Sequence, residues 1–157
     1  MPKNKEDLIE YWSKENLLLR DKGYFDYASR KMFKHYLPDL TGKMILDVGC
    51  GQGMMMEYFA EYGNSVIGID ITPQSVGFSA SRGLAVIEAD ARSIPFLDNT
   101  FDLVYSLGVI EHFSGTKQAL KEQVRVCKPG GIVVAVVPNL ITPYCLASIC
   151  FELLTRR

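Results

Sequence analysis

The residues best placed to do chemistry lie where a carboxylate meets a glycine-rich turn. In "MILDVGCGQGMMMEYF", residues 44–59, an apolar run containing Asp47 leads into glycines at alternate positions, Gly49, Gly51 and Gly53. Glycines at this spacing let the backbone turn tightly and approach a ligand closely. A strand, a glycine turn and a helix in this order form a nucleotide site, so the acidic residue at its entrance needs an explanation.

Two kinds of nucleotide compete for this turn. A dinucleotide fingerprint needs the pattern GxGxxG with the pyrophosphate at the helix N-terminus, but the sixth position here is Met54. The carboxylate of Asp47 would also repel a pyrophosphate. The same carboxylate would attract a cationic ligand such as S-adenosylmethionine, which has an ammonium group and a sulfonium. The residues therefore favour a cationic amino-acid nucleoside.

Acidic residues also end the next two apolar segments. Asp70 ends "VIGID", about 20 residues further on, where an acid binds ribose hydroxyls in nucleotide-binding sheets. Asp90 ends "IEAD", where a carboxylate could accept a hydrogen bond from an adenine amino group. The backbone of Ala91 could serve a ring nitrogen, and Ile71 could cover one face of the base. Each carboxylate could instead cap a turn or a helix.

These residues need a sheet that brings the ends of its strands together. After two segments with helical periodicity, at 5–20 and 24–37, strands alternate with helices along the chain. The strands, among them "MILDV", "SVIGID", "LAVIEAD", "FDLVYSL" and "IVVAVV", are continuous apolar runs typical of strands buried on both faces. The pattern predicts an α/β fold with a Rossmann-like, doubly wound parallel sheet that binds ligands at the carboxyl ends of its strands.

Composition and charge narrow the classes of function. The chain has 157 residues, 48% hydrophobic and 22% charged, with a net charge of -1. These values predict a packed core and give no electrostatic reason to bind nucleic acid or an anionic membrane. Four cysteines without a CxxC pair and two histidines argue against a zinc site. The polar N-terminus resembles no signal peptide, which predicts a cytoplasmic setting.

The sequence divides into three predicted parts. Residues 1–40 form an N-terminal helical cap, residues 41–139 the nucleotide-binding core, and residues 140–157 a C-terminal apolar helix. The stretch 129–151 carries no charge, but its glycines and prolines favour a buried strand and an apolar helix over a membrane span. A peripheral membrane contact of the tail stays open.

With these motifs in register, the sequence resembles the class I S-adenosylmethionine-dependent methyltransferases that act on small molecules, quinones, lipids or sugars. The segments "ILDVGCGQG", "VIGID", "EADARSIPFLDNTFDLVYS", "GVIEHF" and "KPGGIVVAVVPN" follow the family's motifs in order and spacing. The resemblance implies S-adenosylmethionine as cofactor, S-adenosylhomocysteine as product and the strand order 3-2-1-4-5. It implies that the following residues line the cofactor site: Asp47, Gly49, Cys50, Gly51, Gly53, Asp70, Ile71, Asp90, Ala91 and Ser106.

Glu111 and His112 follow the fourth strand, where the resemblance places the methyl acceptor. They are the candidate catalytic residues, since His112 could take a proton from an acceptor hydroxyl; a pair that only shapes the pocket is the alternative. Relatives with Glu-x-x-Glu-His here bind a divalent metal, but Gly108 stands at the first position, which predicts no metal site. The motifs of exocyclic-amine and cytosine-C5 methyltransferases of nucleic acids are missing, which favours a small-molecule acceptor and leaves O-, N- and C-methylation open.

The family's sheet normally closes with two further strands, which this sequence does not show. The alternative function is therefore a non-catalytic module or an inactive fragment that binds S-adenosylmethionine and acts through a partner. Without the two strands, "IVVAVV" becomes an uncharged, β-branched sheet edge, which is an association hazard. This predicts a homodimer that forms through residues 132–137 or through the apolar tail.

Overall fold

The computed structural model of the protein describes residues 6–7, 9–10 and 22–137. Most of the helix predicted at 5–20 and all of the C-terminal helix predicted at 140–157 lie outside these residues. The predicted contacts of the tail with a membrane or with a second chain lie outside them as well.

Four α-helices and five strands lie along residues 22–137. The helices are α1 (Lys22–Tyr36), α2 (Met54–Glu61), α3 (Pro73–Ser81) and α4 (Thr116–Val126). The strands are β1 (Met44–Val48), β2 (Ser65–Asp70), β3 (Val86–Glu88), β4 (Phe101–Leu107) and β5 (Cys127–Val136). A short 3-10 helix, Ile110–His112, follows β4.

The strands form one sheet in the order β3-β2-β1-β4-β5. Every pairing between them is parallel. The Rossmann-like class and the predicted strand order are thereby confirmed. From β1 the chain adds strands outward on one side of the sheet, to β3, and then crosses to the other side of β1 to add β4 and β5. Doubly wound sheets bind ligands at this switch point, in the crevice at the carboxyl ends of β1 and β4.

Side chains of the central strands alternate between two apolar clusters, one on each face of the sheet. Ile45 of β1 and Tyr105 of β4 pack with Phe33 of α1 in the first cluster. Val48 of β1 packs with Val126 of α4 in the second. Because both faces are covered, the central strands are apolar along their whole length, which is why the sequence shows no alternation there.

Two elements differ from the sequence prediction. The strand predicted along "LAVIEAD" is limited to Val86–Glu88, since it lies at the sheet edge and pairs only with three residues of β2. The strand predicted at "IVVAVV" begins earlier, at Cys127, and the stretch "KPGG" interrupts it. Cys127 pairs with Phe101, and the ladder resumes only at Ile132, so the residues between them bulge out of register. Gly130 supports this bulge with a φ of 77°.

Within the described residues, β5 forms one edge of the sheet. Association of two chains through this edge stays a prediction. No helix in this part of the chain has the length and apolar character needed to cross a bilayer.

Gly68 of β2 lets α2 and the glycine turn pack directly against the sheet. A Cβ atom added to it would lie 2.6 Å from Sδ of Met56 and 2.7 Å from Sγ of Cys50. We expect Gly68→Ala to lower the free energy of unfolding by about 1–3 kcal/mol, as overpacking does. Urea denaturation measures this change.

Gly77→Ala is the matched control for that substitution. Gly77 lies inside α3, and a Cβ added to it would meet no atom within 4 Å. Alanine there should raise the free energy of unfolding by about 0.5–1 kcal/mol, because glycine is a poor helix former. Equal effects of the two substitutions would contradict the close packing at Gly68.

Candidate functional site

An open cavity lies at the carboxyl ends of the strands. It encloses about 760 Å³ of space between atoms, including the open solvent at its mouth. Its walls are formed by the segments that follow β1, β2, β3 and β4. Six of the predicted cofactor residues line it: Gly49, Gly51, Asp70, Ile71, Asp90 and Ala91.

The glycine turn after β1 forms the first wall. Its backbone is fixed to β2, because the N–H groups of Gly49 and Cys50 donate to the carbonyl of Ile69 at 2.8 and 3.0 Å. Gly49 has a φ of 77°, and a Cβ there would lie 2.4 Å from Cγ2 of Val109. Gly51 has a φ of 52°, and a Cβ there would meet nothing within 4 Å. The backbone at Gly51 therefore faces open space, as close approach by a ligand requires.

Asp70 joins this turn to the start of α3. Its Oδ2 accepts a hydrogen bond of 2.9 Å from the N–H of Gly51. Its Oδ1 accepts from the N–H and the hydroxyl of Thr72, the N-cap residue of α3, at 2.9 and 2.6 Å. A carboxylate has about four acceptor positions, so these bonds leave one on Oδ2. Asp70 thus supports the turn and the helix and can still accept a hydrogen bond from a ligand.

Asp90 lines the cavity but is paired with Arg92. Its Oδ1 accepts from the backbone N–H and from Nε of Arg92, at 2.8 and 2.9 Å. Its Oδ2 accepts from Nε and Nη2, at 3.1 and 2.6 Å. These hydrogen bonds raise the pKa of the Arg92 guanidinium, so the arginine keeps its positive charge beside the carboxylate.

Asp47 is buried and does not line the cavity. Its side chain is on the sheet face covered by α1 and α2, where its Oδ2 accepts a hydrogen bond of 2.7 Å from the hydroxyl of Tyr105. Burial raises the pKa of Asp47 to about 7; the bond from Tyr105 opposes this rise, and the charge of Asp70 adds to it. A carboxylate in this position gains from a nearby positive charge, which would return its pKa towards the ordinary value.

Three other predicted cofactor residues also lie outside the cavity lining. Cys50 is buried, and this burial raises the pKa of its thiol, so the side chain acts as a neutral packing group. Gly53 starts α2 with a φ of 78°, and a Cβ there would lie 2.2 Å from Cδ1 of Leu84. Ser106 is buried and donates to Oε1 of Gln123 at 3.3 Å. Packing explains these three residues.

Glu111 and His112 lie in the 3-10 helix beside the cavity wall and do not line it. Nε2 of His112 is 3.6 Å from Oε1 of Glu111. Both carboxylate oxygens of Glu111 are buried and receive no hydrogen bond from the part of the chain that the structure describes. Burial raises the pKa of this group. Among the described side chains, no group of three or more His, Cys, Asp or Glu is placed to hold a metal ion.

The sequence analysis missed the wall that follows β4. It consists of Leu107, Gly108, Val109 and Phe113. The available signal was topological, because the segment after the strand beside β1 must form the other side of the crevice. Arg92 and Tyr105, which hold two of the predicted carboxylates, were missed as well.

The strand order and the cavity together define the fold of the class I S-adenosylmethionine-dependent methyltransferases. The crystal structure of the YcgJ protein from Bacillus subtilis has this fold, with a TM-score of 0.67 and 27% identity, and the match covers 71% of this chain and 51% of that one.

The chain belongs to the methyltransferase domain family, whose model matches residues 46–135. It is 40% identical over 94 residues to the probable tRNA methyltransferase 9B of Bos taurus, covering 57% of this chain and 20% of that protein. It is 34% identical over 106 residues to norajmaline N-methyltransferase of Rauvolfia serpentina, covering 62% and 36%. The chain therefore spans between 20% and 36% of the length of these curated relatives.

The buried Asp47 should make stability depend on pH. Because its pKa is raised from 3.8 to about 7, the folded protein keeps a proton that the unfolded chain has released. The contribution of this proton to the free energy of unfolding is fully present below about pH 4, and it is lost as the pH rises to about 7. We expect Asp47→Asn to gain stability relative to the native sequence over this range, by at most about 4 kcal/mol at pH 8.

Urea denaturation at several pH values measures the effect. Asp39→Asn is the control, since it makes the same chemical change at an exposed position. A gain in Asp47→Asn that does not change between pH 4 and pH 8 would show that burial leaves this carboxyl unperturbed.

Proposed function

We propose that this domain binds S-adenosylmethionine in the cavity and transfers its methyl group to a small-molecule acceptor, by O-, N- or C-methylation. The observation that carries the proposal is the bond between Asp70 and the N–H of Gly51. It places an acid with a remaining acceptor position beside an open stretch of backbone, as a ribose and its amino-acid extension need. Membership of the methyltransferase domain family supports the same reading.

In this proposal, different residues act on different parts of the cofactor. Asp70 accepts a hydrogen bond from the ribose, Ile71 covers the base, and the backbone at Gly51 lies along the amino-acid part. The buried charge of Asp47 favours the cation without touching it. The cofactor supplies a methyl group already activated by the sulfonium, so the protein mainly has to align an acceptor with it.

The acceptor side is the wall after β4, with Glu111 and His112 behind it. The apolar side chains of Leu107, Val109 and Phe113 favour an acceptor with an apolar body. His112 can take a proton from a hydroxyl, and the buried carboxylate of Glu111 stabilises the imidazolium that results. The relatives are named for tRNA and for norajmaline; we favour the small molecule because a net charge of -1 gives little attraction to an RNA backbone.

The alternative is a module that binds S-adenosylmethionine without catalysis and acts through a partner. We retain this alternative because the chain covers only 20% and 36% of the length of the two curated relatives. We also propose a cytoplasmic setting, which the buried free thiol of Cys50 supports.

Calorimetry should show binding of S-adenosylmethionine and S-adenosylhomocysteine and no binding of NAD. Asp70→Ala should weaken the binding of S-adenosylhomocysteine by about 1.5–3 kcal/mol, because a charged acceptor is lost. Thr72→Val is the control, since it removes only a donor to the same carboxylate and should change affinity by less than about 1 kcal/mol. Binding of NAD in preference to S-adenosylmethionine would overturn the proposal.

Transfer of a labelled methyl group to candidate acceptors tests catalysis. We expect His112→Gln to slow transfer to a hydroxyl acceptor by about 10²-fold, the usual contribution of a general base, with unchanged affinity for S-adenosylhomocysteine. His35→Gln is the control, because His35 is exposed. A chelator should leave the transfer rate unchanged, because Gly108 has no side chain that could ligate a metal.

The outcomes separate the functional alternatives. Unchanged transfer by His112→Gln would mean that the pair only shapes the pocket. A protein that binds S-adenosylhomocysteine and methylates no acceptor would favour the non-catalytic module.

A further inference from the structure

Asp47 is a buried carboxyl group beside the cavity. The residue is 4% exposed, and its Oδ2 accepts a hydrogen bond of 2.7 Å from the hydroxyl of Tyr105. Tyr105 belongs to the apolar cluster that also contains Phe33 and Phe59. Gly49, two residues further along the chain, lines the cavity. At about 3.3 Å of rise per residue, the backbone positions of Asp47 and Gly49 are at most about 7 Å apart. The carboxyl group is therefore poorly solvated and close to the cavity wall.

Charges at the cavity surface act on this carboxyl group. Burial raises the pKa of Asp47 to about 7, the bond from Tyr105 opposes this rise, and the negative charge of Asp70 adds to it. Asp70 lines the cavity. Since a negative charge at this surface raises the pKa of Asp47, a positive charge on a ligand held there must lower it. The low dielectric of the protein interior makes this effect larger than it would be in water.

The other titratable side chains described on this face of the sheet keep one charge near pH 7. Tyr105 of β4 and Tyr58 of α2 belong to the apolar cluster, and the glycine turn adds the thiol of Cys50. Burial raises the pKa of all three groups, so they stay neutral. Arg30 of α1 lies over the Tyr58 ring, 5.1 Å from its centroid, and an arginine stays charged. Within this set, Asp47 is therefore the group whose charge changes near neutral pH.

S-adenosylmethionine and S-adenosylhomocysteine would bring different charges to the cavity. The sulfur of the first is a sulfonium cation, whereas the sulfur of the second is a neutral thioether. Both molecules carry the same ammonium and carboxylate groups. A sulfonium favours an ionised carboxylate nearby, and a thioether does not.

We infer that Asp47 is a specificity-determining residue, whose carboxylate charge makes the cavity prefer S-adenosylmethionine over the product S-adenosylhomocysteine. Binding of the cation releases the proton of Asp47 to the solvent, and methyl transfer then removes the positive charge that the carboxylate favours. The inference rests on the proposed function, since it assigns the discrimination between cofactor and product to the same cavity.

The preference should rise with pH. Because the pKa of Asp47 in the free protein is about 7, the carboxyl group is mostly protonated at pH 6 and mostly ionised at pH 8. A ligand that lowers this pKa binds more tightly as the pH rises through that range. If the sulfonium lowers it by one unit more than the thioether does, the ratio of the two affinities should change by about fivefold between pH 6 and pH 8.

Calorimetry with both ligands at pH 6, 7 and 8 measures this ratio. In the native sequence the ratio should shift by at least about threefold towards S-adenosylmethionine. Titrations at pH 7 in two buffers of different ionisation enthalpy count the released protons. For the same difference of one unit, S-adenosylmethionine should release about 0.4 proton more than S-adenosylhomocysteine.

Three variants test the assignment to Asp47. Asp47→Asn supplies the baseline, because its amide cannot ionise. The α-amino group of the ligands titrates at about pH 7.7–8.0, so the change seen in this variant is subtracted from the native change. Asp39→Asn makes the same substitution at an exposed position and should keep the native shift. Tyr105→Phe removes a donor that favours the ionised carboxylate, so the shift should move to higher pH, and this variant serves if Asp47→Asn does not fold.

The outcomes separate this inference from the function beneath it. A native protein that binds both ligands with a ratio independent of pH after the subtraction, or that releases equal numbers of protons with each, would overturn the inference and leave the proposed function standing. A shift that Tyr105→Phe leaves at the native pH would do the same. A folded protein that binds neither ligand would overturn both.

Discussion

The hydrogen bond from the backbone N–H of Gly51 to Asp70 is the interaction on which the site depends. Parallel pairing brings the ends of β1 and β2 together, but it leaves the loops that follow them unfixed. A 2.9 Å bond to a charged acceptor ties one loop to the other, and the same carboxylate starts α3 through Thr72. One side chain therefore sets the path of the turn, the start of a helix and the direction of the ligand-facing backbone.

Carboxylates associated with three neighbouring strands have very different environments. Asp70 is satisfied by backbone and hydroxyl donors and is part of the cavity surface. Asp90 is neutralised by a full positive charge on Arg92. Asp47 accepts a hydrogen bond from the hydroxyl of Tyr105 and has lost nearly all contact with solvent, so it has the most to gain from a cationic ligand. In the proposed function, the acid beside the glycine turn therefore acts through its electric field from the protein interior and not by contact with the ligand.

The sheet could be predicted because its signals are local: apolar runs, glycine turns and helix starts occur in an order that few folds share. The orientation of single side chains could not. Alternation along β1 puts Asp47 on the same face as Ile45, but the sequence does not say which face meets α1 and α2. The partner of Asp47, Tyr105, is 58 residues away, and a pattern read along one chain carries no information on contacts at that separation.

Arg92 shows a different limit of prediction from sequence, because it is only two residues after Asp90 in the chain and its pairing was still not predicted. A charged residue in a loop is usually solvated, so its type and position did not indicate that it would turn back onto the acid. What a strand-end carboxylate can recognise depends on the donors that already reach it inside the protein. Neutral backbone and hydroxyl donors reach Asp70, whereas a charged guanidinium reaches Asp90, so two aspartates that look equivalent in the sequence have different electrostatic environments.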